Sequence, residues 1–96
     1  MEQEWILSVS DLNEYVRRSL AADPMLHSLR LRGEISNFKR HSSGHWYFTL
    51  KDEECRINCV MFRQNNRTVS LRPEDGMSVI VSGSVSLYVQ GGAYQF

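Results

Sequence analysis

The sequence predicts an all-β domain, a five-stranded Greek-key barrel preceded by one helix. Three observations predict it. Apolar residues recur at helical spacing only within "SVSDLNEYVRRSLAADP"; from Leu29 onward they alternate with polar ones; and the one later stretch with room for helical turns falls between the third and fourth alternating runs. A chain of 96 residues holds one small domain at most. It divides into an N-terminal segment with a capping helix, 1–26, and the barrel, 27–96.

Taken in order, Leu12, Tyr15, Val16 and Leu20 share one face of the helix. Ser10 or Asp11 is expected to cap it, and Asp23-Pro24 to end it, because proline lacks the donor for a further turn. The apolar stripe is expected to pack on its own domain. In the first strand Leu29, Leu31, Gly33 and Ile35 point one way, and Arg30, Arg32, Glu34 and Ser36 the other. After the loop "KRHSSG", Trp46, Phe48 and Leu50 are expected to face the core, opposite His45, Tyr47, Thr49 and Lys51. "DEE" at 52–54 makes a hairpin tip. The third strand then sets Ile57, Cys59 and Met61 against Arg56, Asn58, Val60 and Phe62.

"RQNNRTVSLRPEDG" supplies the helical link, closed by a turn at Asp75-Gly76. The fourth strand is the most regular. Met77, Val79, Val81, Gly83, Val85, Leu87 and Val89 line one face, and Gly83 is where a coiled strand can bend between two sheets. "QGGA" turns the chain into "YQF", the start of a fifth strand. Five strands with a helical link between the third and fourth is the layout of an OB-fold; an SH3-like barrel, the main competitor, usually lacks that link.

Formal net charge is zero, but its distribution is uneven. Residues 29–72 carry nine Lys or Arg against Glu34, Asp52, Glu53 and Glu54, a net +5, between segments of −3 and −2. A basic middle offers a polyanion a local site even in a neutral chain. No apolar run approaches the roughly 18 residues of a membrane span. The acidic start "MEQEWILS" lacks the basic n-region of a signal peptide, so no membrane contact and a cytoplasmic location are expected.

Cys55 and Cys59, with His41 and His45 upstream, invite a zinc reading. On one strand the two cysteines would stand roughly 13 Å apart, too far to share a metal or a disulfide. Buried, reduced thiols are expected, with no metal and no cofactor. No Ser–His–acid arrangement, P-loop or H-E-x-x-H appears, so no catalytic residue is expected.

OB barrels commonly bind oligonucleotides on the face of strands two and three, framed by the loops after strands one and four, here 39–44 and 90–93. Tyr47 and Phe62 are candidates to stack on bases, with Phe38 beside them. Lys39, Arg40, Lys51 and Arg56 are candidates for phosphates, with Arg32 at the sheet edge and Ser42, Ser43, His41 and His45 as further contacts. Rings and cations together suit single-stranded nucleic acid better than duplex.

"SVSDLNEYVRRSL", "LRGEISNFKRHSSGHWYFTLKDE", "INCVMFR" and "PEDGMSVIVSGSVSLY" together closely resemble the N-terminal OB domain of the exodeoxyribonuclease VII large subunit. The resemblance runs from about Leu7 to Phe96. It implies a bacterial, cytoplasmic enzyme that digests single-stranded DNA from its ends, in complex with several copies of a small subunit. It implies that this domain grips single-stranded DNA, while the catalytic residues and the small-subunit contacts belong to regions absent here. In that family the last strand runs on beyond the position of Phe96. The fifth strand is therefore expected to be cut short, and a strand-exchanged homodimer is expected at high concentration. A protein-interaction module is the competing reading of the same face.

Overall fold

The computed structural model describes residues 5–96. Glu2 and Glu4, two of the N-terminal acids, and the start of the 1–26 segment lie outside the described residues. The chain runs as helix α1 (Val9–Ala22), a 3-10 turn (Pro24–Leu26), β1 (Leu29–Arg40), β2 (Trp46–Lys51), β3 (Arg56–Met61) and helix α2 (Arg63–Asn66). It continues as β4 (Ser78–Gly83), β5 (Ser86–Tyr88) and β6 (Ala93–Gln95). Four strands form an antiparallel sheet in the order β3-β2-β1-β4, and β5 and β6 form a second.

The expected fourth strand is one path in two pieces. β4 pairs with β1 and β5 with β6, and burial keeps alternating from Met77 to Val89 without a phase change. Gly83 marks the break between them, and a side chain there would meet the Phe96 ring at 3.1 Å. So this glycine makes room for the ring that seals the interior, as well as allowing the bend. The Phe96 amide donates to the Asn58 carbonyl and the Val60 amide donates to the Phe96 carbonyl, both at 2.9 Å. That slanted pair is of the parallel type. It links β6 to β3, so the circuit β3-β2-β1-β4/β5-β6 is the five-strand Greek key expected, although the sheet is not closed as a barrel.

Ile35, Leu50, Cys59 and Phe96 are buried, with Leu31, Phe48, Ile57, Val79, Val81 and Val85 partly buried around them. Gly33 is required by a close approach, since a Cβ there would stand 2.7 Å from Leu50 Cγ. Both cysteines are free thiols, but only Cys59 is buried. Burial pushes its thiol up to about 11, so it stays protonated at neutral pH. Cys55 is exposed, contrary to the expectation of two buried thiols, because it falls in the 52–55 turn rather than in β3.

The α1 cap is Ser8, not Ser10 or Asp11. Its hydroxyl accepts from the Asp11 amide at 3.0 Å, and the Asp11 carboxylate accepts from the Ser8 amide, a capping box. The apolar stripe does not bury as expected. The helix lies against β5, where Asn13 Nδ2 donates to the Val89 carbonyl at 2.9 Å, but no α1 residue is buried and Leu12 and Tyr15 stand open. Accessible surface totals 7773 Å². A compact protein of 11.1 kDa exposes about 5,700 Å².

Candidate nucleic-acid interface

One backbone irregularity decides which candidate residues share a face. Ser36 pairs with Thr49 and Lys39 with Tyr47, so two residues of β1, Asn37 and Phe38, oppose the single Phe48 of β2. Asn37 takes φ +52°, a left-handed conformation that asparagine tolerates better than most residues. The bulge is pinned from outside the hairpin. Asp75 accepts from the Phe38 amide at 2.8 Å, and the Gly76 amide donates to the Ile35 carbonyl at 2.8 Å.

Before the bulge the even-numbered residues of β1 face outward; after it the odd ones do. Lys39 therefore comes out beside Tyr47, which is 42 % exposed. Arg40 goes to the opposite face beside Trp46, with its guanidinium 4.7 Å from the Phe38 ring centre and 5.5 Å from that of Trp46. Phe38 also packs on Trp46 and Phe48, with ring centres 5.4 and 5.9 Å apart.

The twelve candidate residues thus fall into three groups. The first is on the outer face at the 41–45 end: Lys39, Tyr47 and His41, whose ring meets Tyr47 edge-on at 5.9 Å, with Ser42 and Ser43 exposed in the turn. The second is at the other end of β2, where Arg32, Lys51 and Arg56 line a shallow cleft of about 230 Å³ with Asp52 and Tyr94. Lys51 is partly engaged there by Glu34 at 3.5 Å. The third gathers around Phe38 and Phe62, which line the open mouth of the interior: Arg40 lies over the Phe38 ring, and His45 meets Phe62 edge-on at 5.3 Å. Strict alternation placed Phe62 on the outer face with Val60. It lies one residue past β3, at the cap of α2, exposed, and with Val60 it lines the mouth.

The 41–45 turn is rigidly built. The His41 amide donates to the His45 carbonyl and the Gly44 amide to the His41 carbonyl, each at 2.9 Å. Ser43 and His41 bond one another, and the Ser43 hydroxyl accepts from the His45 amide at 3.3 Å. Ser43 and His45 are therefore committed internally, since His45 Nδ1 also accepts from the Arg63 amide at 3.0 Å. Buried Asn66 spends its amide on the Gly44 and Met61 carbonyls, at 2.9 and 3.2 Å. Gly44 sits at φ +93° against the Arg63 stem. The loop 90–93, expected to frame the face, lies against α1, where Gly92 approaches Asn13.

Asn37, Asn66 and Asp75 position the site; from the sequence Asp75 was marked only as part of a turn with Gly76, and the two asparagines were not singled out. Asn37 left a signal, an asparagine inside an otherwise regular strand pattern, where that residue is disfavoured. Asn66 left none.

Comparison with known proteins adds the following. The family described as "OB-fold nucleic acid binding domain" matches residues 7–96. The chain is 52% identical over 90 residues to the exodeoxyribonuclease 7 large subunit of Alkaliphilus metalliredigens, covering 94% of this chain and 22% of that protein. It is 56% identical over 90 residues to that of Clostridium acetobutylicum, covering 94% and 23%. To that of Bacillus cytotoxicus it is 53% identical over 95 residues, covering 99% and 21%. The chain thus spans about a fifth of the length of these relatives.

Proposed function

We propose a function from this premise: the chain belongs to the OB-fold nucleic acid binding domain family. It holds single-stranded DNA on the outer face of β1–β3, for an exonuclease whose active site lies outside these residues. The observation that carries the reading is the Lys39–Tyr47 pair with His41 beside it, a cation and two rings presented together at the rim of a rigid turn. A base stacks on Tyr47, and its phosphates meet Lys39. Farther along the same face, Arg56 and the half-engaged Lys51 extend the track.

The nuclease assignment rests on the relatives' name, exodeoxyribonuclease 7 large subunit. In such an enzyme this domain acts by positioning, because a tethered grip raises the effective concentration of DNA at the chemistry. Fluorescence anisotropy of labelled oligo-dT, titrated at two salt concentrations, tests the reading. Saturable binding that weakens as salt rises is expected; absence of binding at low salt by the folded chain would refute it.

A second reading has its own observation. Leu12 and Tyr15 of α1 stand open, which suits contact with the rest of the nuclease complex. Capture of the small subunit by this chain, lost on Leu12→Asp, would favour it.

A further inference from the structure

The bulge at Asn37–Phe38 switches the phase of β1, so that of two successive residues Lys39 pairs with Tyr47 outside and Arg40 with Trp46 inside. Each pair is a ring with a cation, the combination that holds a nucleotide. Only the thickness of one β-layer and the 41–45 turn separate them. Arg40 is exposed and has no carboxylate partner among the described residues, whose ion pairs are Arg17–Glu14 and Lys51–Glu34. Its guanidinium lies over Phe38 and Trp46, two rings that line an apolar cavity of about 600 Å³ together with Phe48, Phe62 and Phe96.

We propose that the Arg40–Trp46–Phe38 cluster is a second nucleotide subsite, taking the base and phosphate of a nucleotide on the same single strand that lies on Tyr47. The strand folds over the 41–45 turn, so the hairpin tip is clasped from both faces. The inference rests on the reading that the outer face binds single-stranded DNA, and adds the path the strand takes. Charge complementarity fixes the occupant. An apolar peptide would leave the Arg40 charge covered and unpaired, whereas a phosphate pairs with it while the base stacks on the guanidinium plane or the indole.

Tryptophan fluorescence separates the two claims. The chain has two tryptophans, Trp5 and Trp46, so a Trp5→Phe background leaves Trp46 as the reporter. Oligo-dT binding is followed by anisotropy of a labelled strand and, in parallel, by Trp46 emission. The expected result is Trp46 quenching that tracks the anisotropy for long oligonucleotides and is absent for a dinucleotide, which cannot reach both faces. Arg40→Ala is expected to weaken long-strand binding about tenfold and to abolish the quenching. Arg40→Lys, which keeps charge without the plane, is expected to recover part of the affinity only. An anisotropy change with Trp46 emission unaltered would overturn the inference, leave the outer-face reading standing and make Arg40 a lid on the apolar mouth. No anisotropy change would overturn both.

Discussion

At one end of β2 the 41–45 turn is held by residues 18 and 22 positions away, through Arg63 to His45 and Asn66 to Gly44. At the other end the 52–55 turn is held by its own first residue. Asp52 accepts from the Glu54 and Cys55 amides at 2.9 and 2.8 Å, while its own amide donates to the Cys55 carbonyl. The first turn is flanked by basic and aromatic residues, Lys39, Arg40, Trp46 and Tyr47, and the second is itself acidic. A polyanion is therefore drawn more strongly to the first end than to the second, where Lys51 and Arg56 flank the acids. Both turns are closed by local hydrogen bonds, but only the first is also clamped by a later helix, so only its geometry depends on contacts made across the domain.

The clamp offers the largest effect with which to break this comparison. Asn66→Ala leaves the Gly44 and Met61 carbonyls without their partner in a buried place and is expected to cost about 1–3 kcal/mol. That lowers Tm by about 4–8 °C for each kcal/mol in a domain of this size, read by thermal denaturation. Asp52→Ala, acting on an exposed turn, should lower Tm less. If Asp52→Ala proves the more damaging, the distinction between the turns is wrong.

Next in size is the loss of the outer ring. Tyr47→Ala is expected to remove about 1–3 kcal/mol of oligo-dT affinity. Lys39→Ala should reduce the slope of log affinity against log salt by about one. Equal losses from Arg56→Ala, at the far end of the face, would show that the basic turn has no special part.

A third effect is acid sensitivity at the 52–55 turn. Hydrogen bonds from the Cys55 and Glu54 amides hold the Asp52 carboxyl below its ordinary value. Its stabilising contribution is therefore present above the unfolded carboxylate range near pH 4 and is lost as pH falls through the lower folded value. Comparing Tm of the wild type and Asp52→Asn from pH 6 to pH 2 should show the two curves converging at the acid end. Parallel curves would remove the claim.

The smallest effect comes from neutralising the acidic tip. Glu53→Gln with Glu54→Gln should tighten oligo-dT binding severalfold or less at low salt, and not at all once the Debye length falls to about 3 Å at 1 M. Tightening that survives high salt would mean the tip touches the strand.

Several of these features were legible in the sequence because their causes are local. The alternation from Met77 to Val89 held throughout, and Asp52 closed its turn within three residues. The fold class followed from the position of one short helical link. What could not be read depends on partners far along the chain. Asp75 caps the bulge from 37 positions away, and that bulge decides that Lys39 rather than Arg40 faces outward. Period-two counting carries no term for one extra residue, so the face was legible and the sharing-out of its cations was not. Likewise the α1 stripe fixed a helix, but its spacing held no information on how little of it β5 would cover.

Titration of isotopically labelled protein with oligo-dT, followed residue by residue by NMR, tests the outer-face account most directly. Shifts centred on Lys39, His41 and Tyr47, fading toward Asp52–Cys55, are what it predicts. Binding accompanied by shifts confined to α1, Tyr88 and Tyr94, with Tyr47 unmoved, would contradict it.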